Sequence, residues 1–547
     1  MMDAFELPRT LVQSLQRRAA QTPDQVALRF LADCAEQNVV LSYRDLDQRA
    51  RTIAAALQAN VALGERAVLL FPSGPDYVAA FFGCLYAGVI AVPAYPPEST
   101  RRHHQERLLS IISDAEPRVL LTIASLGDGL AQIENAPPVL SVDTLEAQLA
   151  ERWVEPELHA DDIAFLQYTS GSTALPKGVQ VSHGNLVANE VLIRRGFGID
   201  LNPDDVIVSW LPLYHDMGLI GGLLQPIFSG VPCVLMSPAY FLGRPLRWLE
   251  AISEYRGTIS GGPDFAYRLC SERVSESALE RLDLSTWRVA YSGSEPIRLD
   301  TLERFAEKFA TCGFTPNNFF ASYGLAEATL FVAGGTRGHG IPALRLDEQA
   351  LAANRAEPGQ GNAIMSCGTS QPEHAVLIAD PHTLSELPDN HVGELWASGP
   401  SIARVHHRQV GKMVPLPWTV DEPRGLDGIE PGAHAAVTHD VQVHGEAGGI
   451  HGHDECGERF GVDVQVAASR VAAVRLQQRS RFTVRNAVDH GFGRGGVEAH
   501  CRVFGAQRDE TLDESRNFGG CRARWNPQRT GCDASQGAVV NRRSVRV

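Results

Sequence analysis

The sequence lacks three features that would each assign it to a class of protein. Its formal net charge is −15, and non-specific nucleic-acid binders neutralise phosphates with a basic surface, so that class is excluded. Its ten cysteines show no paired spacing in roughly the first 400 residues, which indicates free thiols rather than a disulfide framework. The N-terminus carries charges where a secretion signal needs an apolar segment. We therefore expect a cytoplasmic chain without disulfides.

Long uncharged runs are also scarce, and one of them needs an interpretation. Residues 77–94 (YVAAFFGCLYAGVIAVPA) reach the ~18 residues that a membrane span requires. The run is rich in alanine and glycine, is interrupted by Gly88 and reaches Pro93 near its end. We interpret it as a buried helix followed by a buried strand and expect no membrane span; a membrane helix is the alternative.

Short apolar runs alternate with helical patterns over the first 300 residues or so. Leu46, Ala50, Ile53 and Leu57 recur at helical spacing, and Thr10 is suited to cap an earlier helix. The apolar runs are 67–71, 89–92, 118–122, 206–210, 232–236, 258–260 and 289–291. Because parallel strands need a crossover that a helix usually supplies, this order predicts an α/β fold. We expect parallel-rich sheets covered by helices.

A sharp change in composition follows Arg404. The last 143 residues hold 9 of the 18 histidines and 18 arginines but one lysine, four leucines, two isoleucines and no tyrosine. So few large aliphatic side chains cannot offset the chain entropy that folding removes. We therefore predict a folded domain over 1–404 and a disordered tail without a recognisable fold over 405–547.

Two origins of this tail remain open. Arginine and histidine enrichment with loss of leucine, lysine and tyrosine is what reading a GC-rich gene out of frame would give, so a frameshift after about Arg404 is the favoured explanation. The alternative is a real, divergent tail. Its run HGHDEC, 451–456, contains metal-ligating residue types, but their spacing does not match a zinc finger.

A loop of small polar residues follows the apolar strand 163–167. It reads YTSGSTALPKGV over 168–179, and Gly171 allows backbone N–H groups to approach a phosphate closely. The loop offers five side chains that could contact phosphate oxygens: Thr169, Ser170, Ser172, Thr173 and Lys177. Its order of glycine and lysine differs from that of the kinase and GTPase phosphate loop, so those classes are excluded at the motif level. A surface turn is the alternative.

Three more motif-like segments follow this loop along the sequence. They are WLPLYHDMG at 210–218, SGSEPI at 292–297 and SYGLAEAT at 322–329. Together with the loop they resemble the acyl-adenylate-forming superfamily of acyl-CoA ligases, luciferases and adenylation domains of nonribosomal peptide synthetases. The longer runs HDMGLIGGLLQP, GGPDFAYRLC and YGLAEATLFVAGG resemble its fatty acyl-AMP ligase branch, in particular the N-terminal acylating module of pyoverdine-type synthetases. The resemblance covers roughly residues 5–404.

The resemblance implies an ATP- and Mg²⁺-dependent activation of a long-chain fatty acid. The product would be an acyl-adenylate for loading onto an acyl or peptidyl carrier protein of a lipopeptide or polyketide pathway. It implies that Lys177 and the loop hold the β- and γ-phosphates, that Glu327 with Thr173 binds Mg²⁺, and that His215 stands near the reacting carboxylate. The nucleotide-binding residues implied are Thr169, Ser170, Gly171, Ser172, Thr173, Gly293, Ser294, Glu295, Pro296, Ser322, Tyr323 and Gly324.

Two points remain open at this stage. Seven apolar residues either line a tunnel for the acyl chain or belong to the core: Met217, Leu219, Ile220, Leu223, Leu224, Phe241 and Phe265. Family members also place an aspartate of a later segment on the ribose, and no position here can be assigned to it. We therefore expect impaired turnover. A remnant that only binds ATP or acyl groups and an acyl-CoA ligase are the alternatives.

Overall fold

The computed structural model describes residues 7–33, 37–95, 102–133, 136–169, 177–199 and 204–404. It also describes two short strands, Val484–Arg485 and Arg502–Val503, which pair antiparallel and belong to a separate unit. The remainder of 405–547 lies outside the described residues. The predicted disorder of the tail and the predicted end of the folded domain near Arg404 therefore stay predictions.

The described helices and strands alternate along the chain. The helices are α1 (Leu11–Gln21), α2 (Tyr43–Gln58), α3 (Pro75–Ala87), α4 (Arg102–Ala115), α5 (Ala124–Ala131), α6 (His183–Phe197), α7 (Gln225–Ser229), α8 (Pro238–Gly243), α9 (Leu246–Glu254), α10 (Asp264–Arg273), α11 (Glu276–Leu279), α12 (Leu299–Phe309) and α13 (Glu348–Ala352). The strands are β1 (Val26–Leu31), β2 (Val39–Ser42), β3 (Arg66–Leu69), β4 (Ile90–Pro93), β5 (Val119–Thr122), β6 (Val139–Ser141), β7 (Ile163–Thr169), β8 (Lys177–Ser182), β9 (Ile207–Ser209), β10 (Cys233–Met236), β11 (Ile259–Gly262), β12 (Val289–Ser292), β13 (Phe319–Gly324), β14 (Phe331–Gly334), β15 (Ala343–Leu346), β16 (Pro358–Met365), β17 (Thr369–Ser370), β18 (Ala375–Ala379) and β19 (Glu394–Ser398).

Two large sheets contain most of these strands. In the nine-stranded sheet the order is β17-β14-β13-β12-β11-β9-β10-β1-β2, parallel from β13 to β1 and antiparallel at both edges. In the six-stranded sheet the order is β6-β5-β3-β4-β7-β8, parallel except for the last pair. Parallel strands are stable when helices cover both faces. The predicted α/β fold with parallel-rich sheets is confirmed.

The predicted helices begin and pack as their sequences indicate. The Thr10 hydroxyl accepts from the main-chain N–H of Gln13 at 3.2 Å and caps α1. In α2, Ser42 and Asp45 form a capping box, and the four apolar residues at helical spacing are all buried: Leu46, Ala50, Ile53 and Leu57. Capping satisfies N–H groups that the first helical turn leaves unpaired.

The uncharged run 77–94 is a buried helix followed by a buried strand, as predicted. Helix α3 ends at Gly88, whose φ of 67° is a left-handed conformation that glycine adopts without steric cost, and β4 then begins. Within the described residues no helix is both long and apolar enough to cross a membrane. The five described cysteines, Cys84, Cys233, Cys270, Cys312 and Cys367, are free thiols.

Candidate active site

The hairpin of β7 and β8 holds both ends of the candidate phosphate loop. Thr169 is the last residue of β7 and Lys177 is the first of β8, and these two residues pair directly. The loop between them, 170–176, lies outside the described residues, and of Lys177 only the backbone is described. That loop contains four candidate residues: Ser170, Gly171, Ser172 and Thr173. The hairpin therefore fixes where the loop starts and ends, at the carboxyl end of β7.

More candidate residues lie at the carboxyl ends of the parallel strands β12 and β13. The Ser322 hydroxyl in β13 donates to the carbonyl of Ser292, the last residue of β12, at 3.2 Å. The strand ends approach so closely that a Cβ at Gly293 would lie 2.6 Å from the Ser322 carbonyl oxygen. Position 293 therefore requires glycine. In open α/β sheets this edge is where ligands bind. We call residues 292–297 and 322–329 the strand-end side of the site.

Side-chain contacts fix the turn that follows β12. Ser294 has a φ of 67°, which is uncommon for a residue with a Cβ, and its hydroxyl donates to the Met217 sulfur at 3.3 Å. The Glu295 carboxylate accepts from the main-chain N–H of Phe265 at 2.7 Å, and burial raises the pKa of this carboxyl. Pro296 is exposed. Ser294 and Glu295 thus hold the turn in place.

Two candidate nucleotide-binding residues, Tyr323 and Gly324, are neighbours at the end of β13. Tyr323 is 3% exposed and packs with Leu325 and Val332, and burial raises its pKa far above the ordinary value. A Cβ at the neighbouring Gly324 would overlap the carbonyl oxygen of Leu330, so this position requires glycine. Contact of both residues with adenine stays a prediction.

Glu327 lies in a single 3₁₀ turn, Ala326–Ala328, just beyond β13. Its residue is partly buried, and its main-chain carbonyl accepts from the N–H of Ala403 at 2.8 Å. Among the described residues no three His, Cys, Asp or Glu side chains lie together. Mg²⁺ on nucleotide phosphates takes only one or two protein carboxylates. The role of Glu327 as a metal ligand stays a prediction.

His215 forms an ion pair with the residue that follows it. Its Nδ1 lies 2.7 Å from the Asp216 carboxylate, which also accepts from the main-chain N–H of Met217 at 2.7 Å. Burial lowers the pKa of His215, and the charge and hydrogen bond of Asp216 raise it; the net result is a raised pKa. The His215 side chain is 29% exposed. The main-chain N–H of Met217 also lies 3.3 Å from Nδ1, a contact that needs a lone pair on this nitrogen, whereas the shorter contact with Asp216 needs a proton on it. The raised pKa favours the protonated form, which pairs with Asp216.

A cation that the sequence patterns did not indicate is linked through two aromatic rings to Tyr214, the residue before His215. The Arg107 guanidinium in α4 stands over the Tyr95 ring at 5.1 Å, and that ring lies 4.3 Å from the Tyr214 ring. The charge of Arg107 lowers the pKa of His215. No motif surrounds Arg107, and more than 100 residues separate it from His215, so only the fold brings the two together.

The segment after His215 is a buried π-helix, Met217–Leu224. We call 215–224 the helical side of the site. π-Helical turns are rare and are frequent at functional sites. All five apolar candidates of this segment are buried within the main hydrophobic core: Met217, Leu219, Ile220, Leu223 and Leu224. Phe241 is also fully buried and stacks on Trp210 at 4.1 Å, whereas Phe265 is partly buried. Of the seven candidates, six are therefore core residues in the described structure.

A side-chain hydrogen bond joins the phosphate-loop hairpin to Tyr214, the residue directly before the helical side. Gln167 in β7 donates from Nε2 to the carbonyl of Tyr214 at 3.0 Å. Tyr77 of α3 also donates its hydroxyl to the carbonyl of Leu213 at 2.7 Å. The contact of Ser294 with Met217 then joins the helical side to the strand-end side.

Main-chain hydrogen bonds join the hairpin to the strand-end side by a second route. The N–H of Arg404 donates to the carbonyl of Gln180 in β8 at 3.2 Å, and the N–H of Ala403 donates to the carbonyl of Glu327. Residues as far apart in sequence as Gln180 and Arg404, 224 positions, thus meet in one place. The four segments singled out in the sequence are neighbours in the structure.

Comparison with known proteins gives one family and several relatives. The profile of the AMP-binding enzymes matches residues 15–406. The chain is 40% identical over 412 residues to the medium-chain-fatty-acid–[acyl-carrier-protein] ligase JamA of Moorena producens, covering 72% of this chain and 69% of that protein. It is 35% identical to the ligase TtuA of Teredinibacter turnerae, which carries the same description, covering 73% and 69%.

A solved structure is similar to the chain over the same region. It is the fatty acyl-adenylate ligase of Legionella pneumophila in complex with acyl adenylate and pyrophosphate. The TM-score is 0.71 at 39% sequence identity, and the match covers 75% of this chain and 72% of that one. Two of these relatives are thus described as ligases of medium-chain fatty acids and the third as binding an acyl adenylate.

Proposed function

The chain belongs to the AMP-binding enzyme family, and on that basis we propose that it activates a fatty-acid carboxylate with ATP. The products are an acyl-adenylate and pyrophosphate, and the acyl group is then passed to an acyl or peptidyl carrier protein. One observation carries the proposal: hydrogen bonds join the hairpin of β7 and β8, the His215 segment and the Glu327 turn around one site.

The chemistry of this reaction explains what such a site must supply. A carboxylate oxygen bonds to the α-phosphorus of ATP, the bond from that phosphorus to the β-phosphate oxygen breaks, and pyrophosphate leaves with the electron pair. No proton moves in this step. The protein must bring two anions together and stabilise charge on the phosphoryl oxygens.

The residues divide these tasks by position. Lys177 and the loop hydroxyls hold the β- and γ-phosphates, and the strand-end side holds the nucleotide against Gly293 and Gly324. Glu327, with Thr173, would hold Mg²⁺, and the metal would neutralise phosphate charge. The backbone of Glu327 is fixed through Ala403, so its carboxylate starts from a defined position.

His215 and Arg107 provide positive charge where the carboxylate enters. His215 is partly accessible, and its raised pKa keeps it protonated to higher pH than an ordinary histidine. Arg107 lies close enough to influence that pKa. Two cations at this point lower the electrostatic cost of bringing a carboxylate towards a triphosphate.

The test measures nucleotide binding and fatty-acid binding separately. In the full chain, Lys177→Ala and Glu327→Ala should weaken binding of Mg²⁺ and a non-hydrolysable ATP analogue at least about tenfold, since a hydrogen bond to a charged group contributes ~1.5–3 kcal/mol. Fatty-acid binding, measured by calorimetry with acids of 8 to 16 carbons, should stay within about twofold. Equal loss of both would mean that the substitutions only unfold the domain.

The acceptor is tested separately. A labelled fatty acid is incubated with ATP and the full chain, and acyl-adenylate, acyl-CoA and acylated carrier protein are quantified. We expect acyl-adenylate, with transfer to a carrier protein in preference to CoA. Preferential formation of acyl-CoA would favour the CoA ligase alternative, and binding without any product would favour the remnant.

A further inference from the structure

A strained residue lies two positions after Glu327. Thr329 has φ 70° and ψ −62°, and the N–H of Leu330 donates to the carbonyl of Ala328 at 2.9 Å. This is the rare hand of the γ-turn, and positive φ is an outlier for a β-branched residue. Such a conformation persists only where the surroundings enforce it, and it is concentrated at functional sites.

A buried hydrogen bond enforces the turn. The Thr329 hydroxyl donates to the carbonyl of Ser401 at 2.6 Å, and both residues are 0% exposed. Two residues earlier in one segment and two later in the other, the carbonyl of Glu327 accepts from the N–H of Ala403. The Glu327 turn is therefore tied to 401–403 at two points, the carbonyl of Glu327 and the hydroxyl of Thr329.

The segment 400–403 is itself anchored from a different helix. Asn185 in the first turn of α6 donates from Nδ2 to the carbonyl of Pro400 at 2.9 Å and to that of Ile402 at 3.1 Å. Helix α6 directly follows β8, the strand that begins at Lys177. The Glu327 turn and the phosphate-loop hairpin thus share one anchor.

A histidine completes the anchor at Ser401. His374 Nε2 lies 2.7 Å from the Ser401 hydroxyl and accepts from the main-chain N–H of Ser401 at 3.2 Å. Since an N–H can only donate, Nε2 must carry a lone pair and the imidazole must be neutral. Burial, which lowers the pKa of His374, favours that state. At Gly399 a Cβ would overlap the His374 ring, which requires glycine there.

We propose that Thr329 is a positioning residue: with Ser401 and His374 it holds the Glu327 turn in the strained conformation in which the carboxylate meets a nucleotide-bound divalent cation. The inference rests on the proposed function, which makes Glu327 the metal ligand. It adds that the Thr329 hydroxyl, which is not itself a proposed metal ligand, supports metal binding through the backbone, so that its removal weakens metal binding.

The test compares two buried threonines that make the same kind of bond. Thr329→Val keeps the β-branched shape and removes the hydroxyl. The matched control is Thr122→Val, since Thr122 is also 0% exposed and donates to a main-chain carbonyl, that of Leu70, at 2.7 Å. Binding of Mn²⁺ to the full chain with a non-hydrolysable ATP analogue is measured by electron paramagnetic resonance. We expect about tenfold weaker Mn²⁺ binding for Thr329→Val and no change for Thr122→Val.

Two further variants separate positioning from stability. Thr329→Ser keeps the hydroxyl and should bind Mn²⁺ within about twofold of the unaltered chain. Thr329→Gly adopts positive φ without strain, so it should melt at a higher temperature than Thr329→Val yet bind Mn²⁺ as weakly. If Thr329→Val and Thr122→Val change Mn²⁺ binding equally, or if Thr329→Gly restores it, the positioning role is wrong.

Glu327→Gln distinguishes this inference from the function on which it rests. If Glu327→Gln weakens Mn²⁺ binding and Thr329→Val does not, the inference fails and the proposed function stands. If Glu327→Gln leaves Mn²⁺ binding unchanged, the assignment of the metal ligand fails, and the positioning role fails with it.

Discussion

The two sides of the candidate site are built in opposite ways. The strand-end side consists of strand ends and turns whose backbone leaves no room for a Cβ at Gly293 and Gly324 and which include two non-glycine residues at positive φ, Ser294 and Thr329. The helical side contains a continuous buried segment, Met217–Leu224, within the core. Its one close backbone approach in the described part of the chain is at Gly218, where a Cβ would overlap the Pro212 carbonyl oxygen. Backbone geometry therefore specifies more of the strand-end side, and apolar packing specifies more of the helical side.

This difference explains what each side can tolerate. Backbone conformation restricts individual positions to one residue type, so a single added methyl group on the strand-end side meets main-chain atoms. Apart from Gly218, packing on the helical side depends on total volume, and similar apolar residues can exchange at modest cost. Substitutions on the two sides should therefore have different signatures, and three experiments examine this contrast.

The largest effect is expected in the core of the helical side. Leu223→Ala should lower the free energy of unfolding by about 2–5 kcal/mol, because Leu223 is 0% exposed and its removal leaves a cavity. Urea unfolding measures the change, and the chain-length preference for fatty acids should be unaltered. The comparison variant is Phe265→Ala, whose partly buried ring packs edge-on against Trp210 at 5.9 Å.

Phe265 is joined to the strand-end side, because its N–H donates to the Glu295 carboxylate, and its ring packs against Trp210. Phe265→Ala should therefore alter the preference for acyl chain length more than Leu223→Ala does, at a smaller loss of stability. If Leu223→Ala changes the chain-length preference instead, the helical side lines the acyl pocket as well as the core.

A smaller effect, with opposite signs on the two sides, is expected from Gly→Ala. Gly324→Ala should destabilise by about 1–3 kcal/mol, since its methyl group would overlap the main-chain carbonyl of Leu330. Gly221 is matched to it, because a Cβ there would lie 3.5 Å from the side chain of the same Leu330, an ordinary contact. Gly221→Ala should stabilise by ~0.5–1 kcal/mol, as alanine in a helix does.

Denaturant unfolding measures the free energy of unfolding of both variants. Equal destabilisation would mean that the helical side is as constrained in its backbone as the strand-end side. A neutral Gly324→Ala would mean that the end of β13 can shift away from Leu330. Backbone geometry would then not restrict position 324 to glycine.

The same contrast explains how much of the molecule could be predicted from the sequence. Apolar runs at strand length predicted the α/β fold and placed eight strands, β3, β4, β5, β7 and β9–β12, to within two residues, and Thr10 predicted the start of α1, because burial and capping leave local signals. The strand-end side was recognisable from the motifs SGSEPI and SYGLAEAT, which include the glycines that close backbone approach requires at 293 and 324. The roles of its residues stay predictions.

The features that were missed depend on long-range contacts. Arg107 lies over the Tyr95 ring, which packs against the ring of Tyr214 next to His215, and Thr329 is held by Ser401, 72 positions away. Arg107 lies in no motif, and the SYGLAEAT motif that ends at Thr329 gives no sign of the positive φ of this residue. The apolar run 217–224 was ambiguous for a different reason: a pocket wall and a core segment have the same composition.

The smallest effect is expected from the pH dependence of His215 at the junction of the two sides. Asp216 raises the pKa of His215, so the ion pair stabilises the fold at pH below the ordinary histidine value of about 6.5 and this contribution disappears as pH rises through the raised value. Asp216→Asn should therefore destabilise by about 1–2 kcal/mol at low pH, with a difference that shrinks towards alkaline pH. In the variant, burial and Arg107 remain, so the imidazole should titrate at lower pH than in the unaltered chain.

Nuclear magnetic resonance of ¹³C-labelled histidines measures the titration, with His215→Asn to assign the signal. His183 is the internal control, because it is 2% exposed and burial lowers its pKa to about 4; it should be unaffected. A His215 titration that stays in place in Asp216→Asn would mean that Asp216 does not set the charge of His215, and the electrostatic account of the carboxylate entry would be wrong.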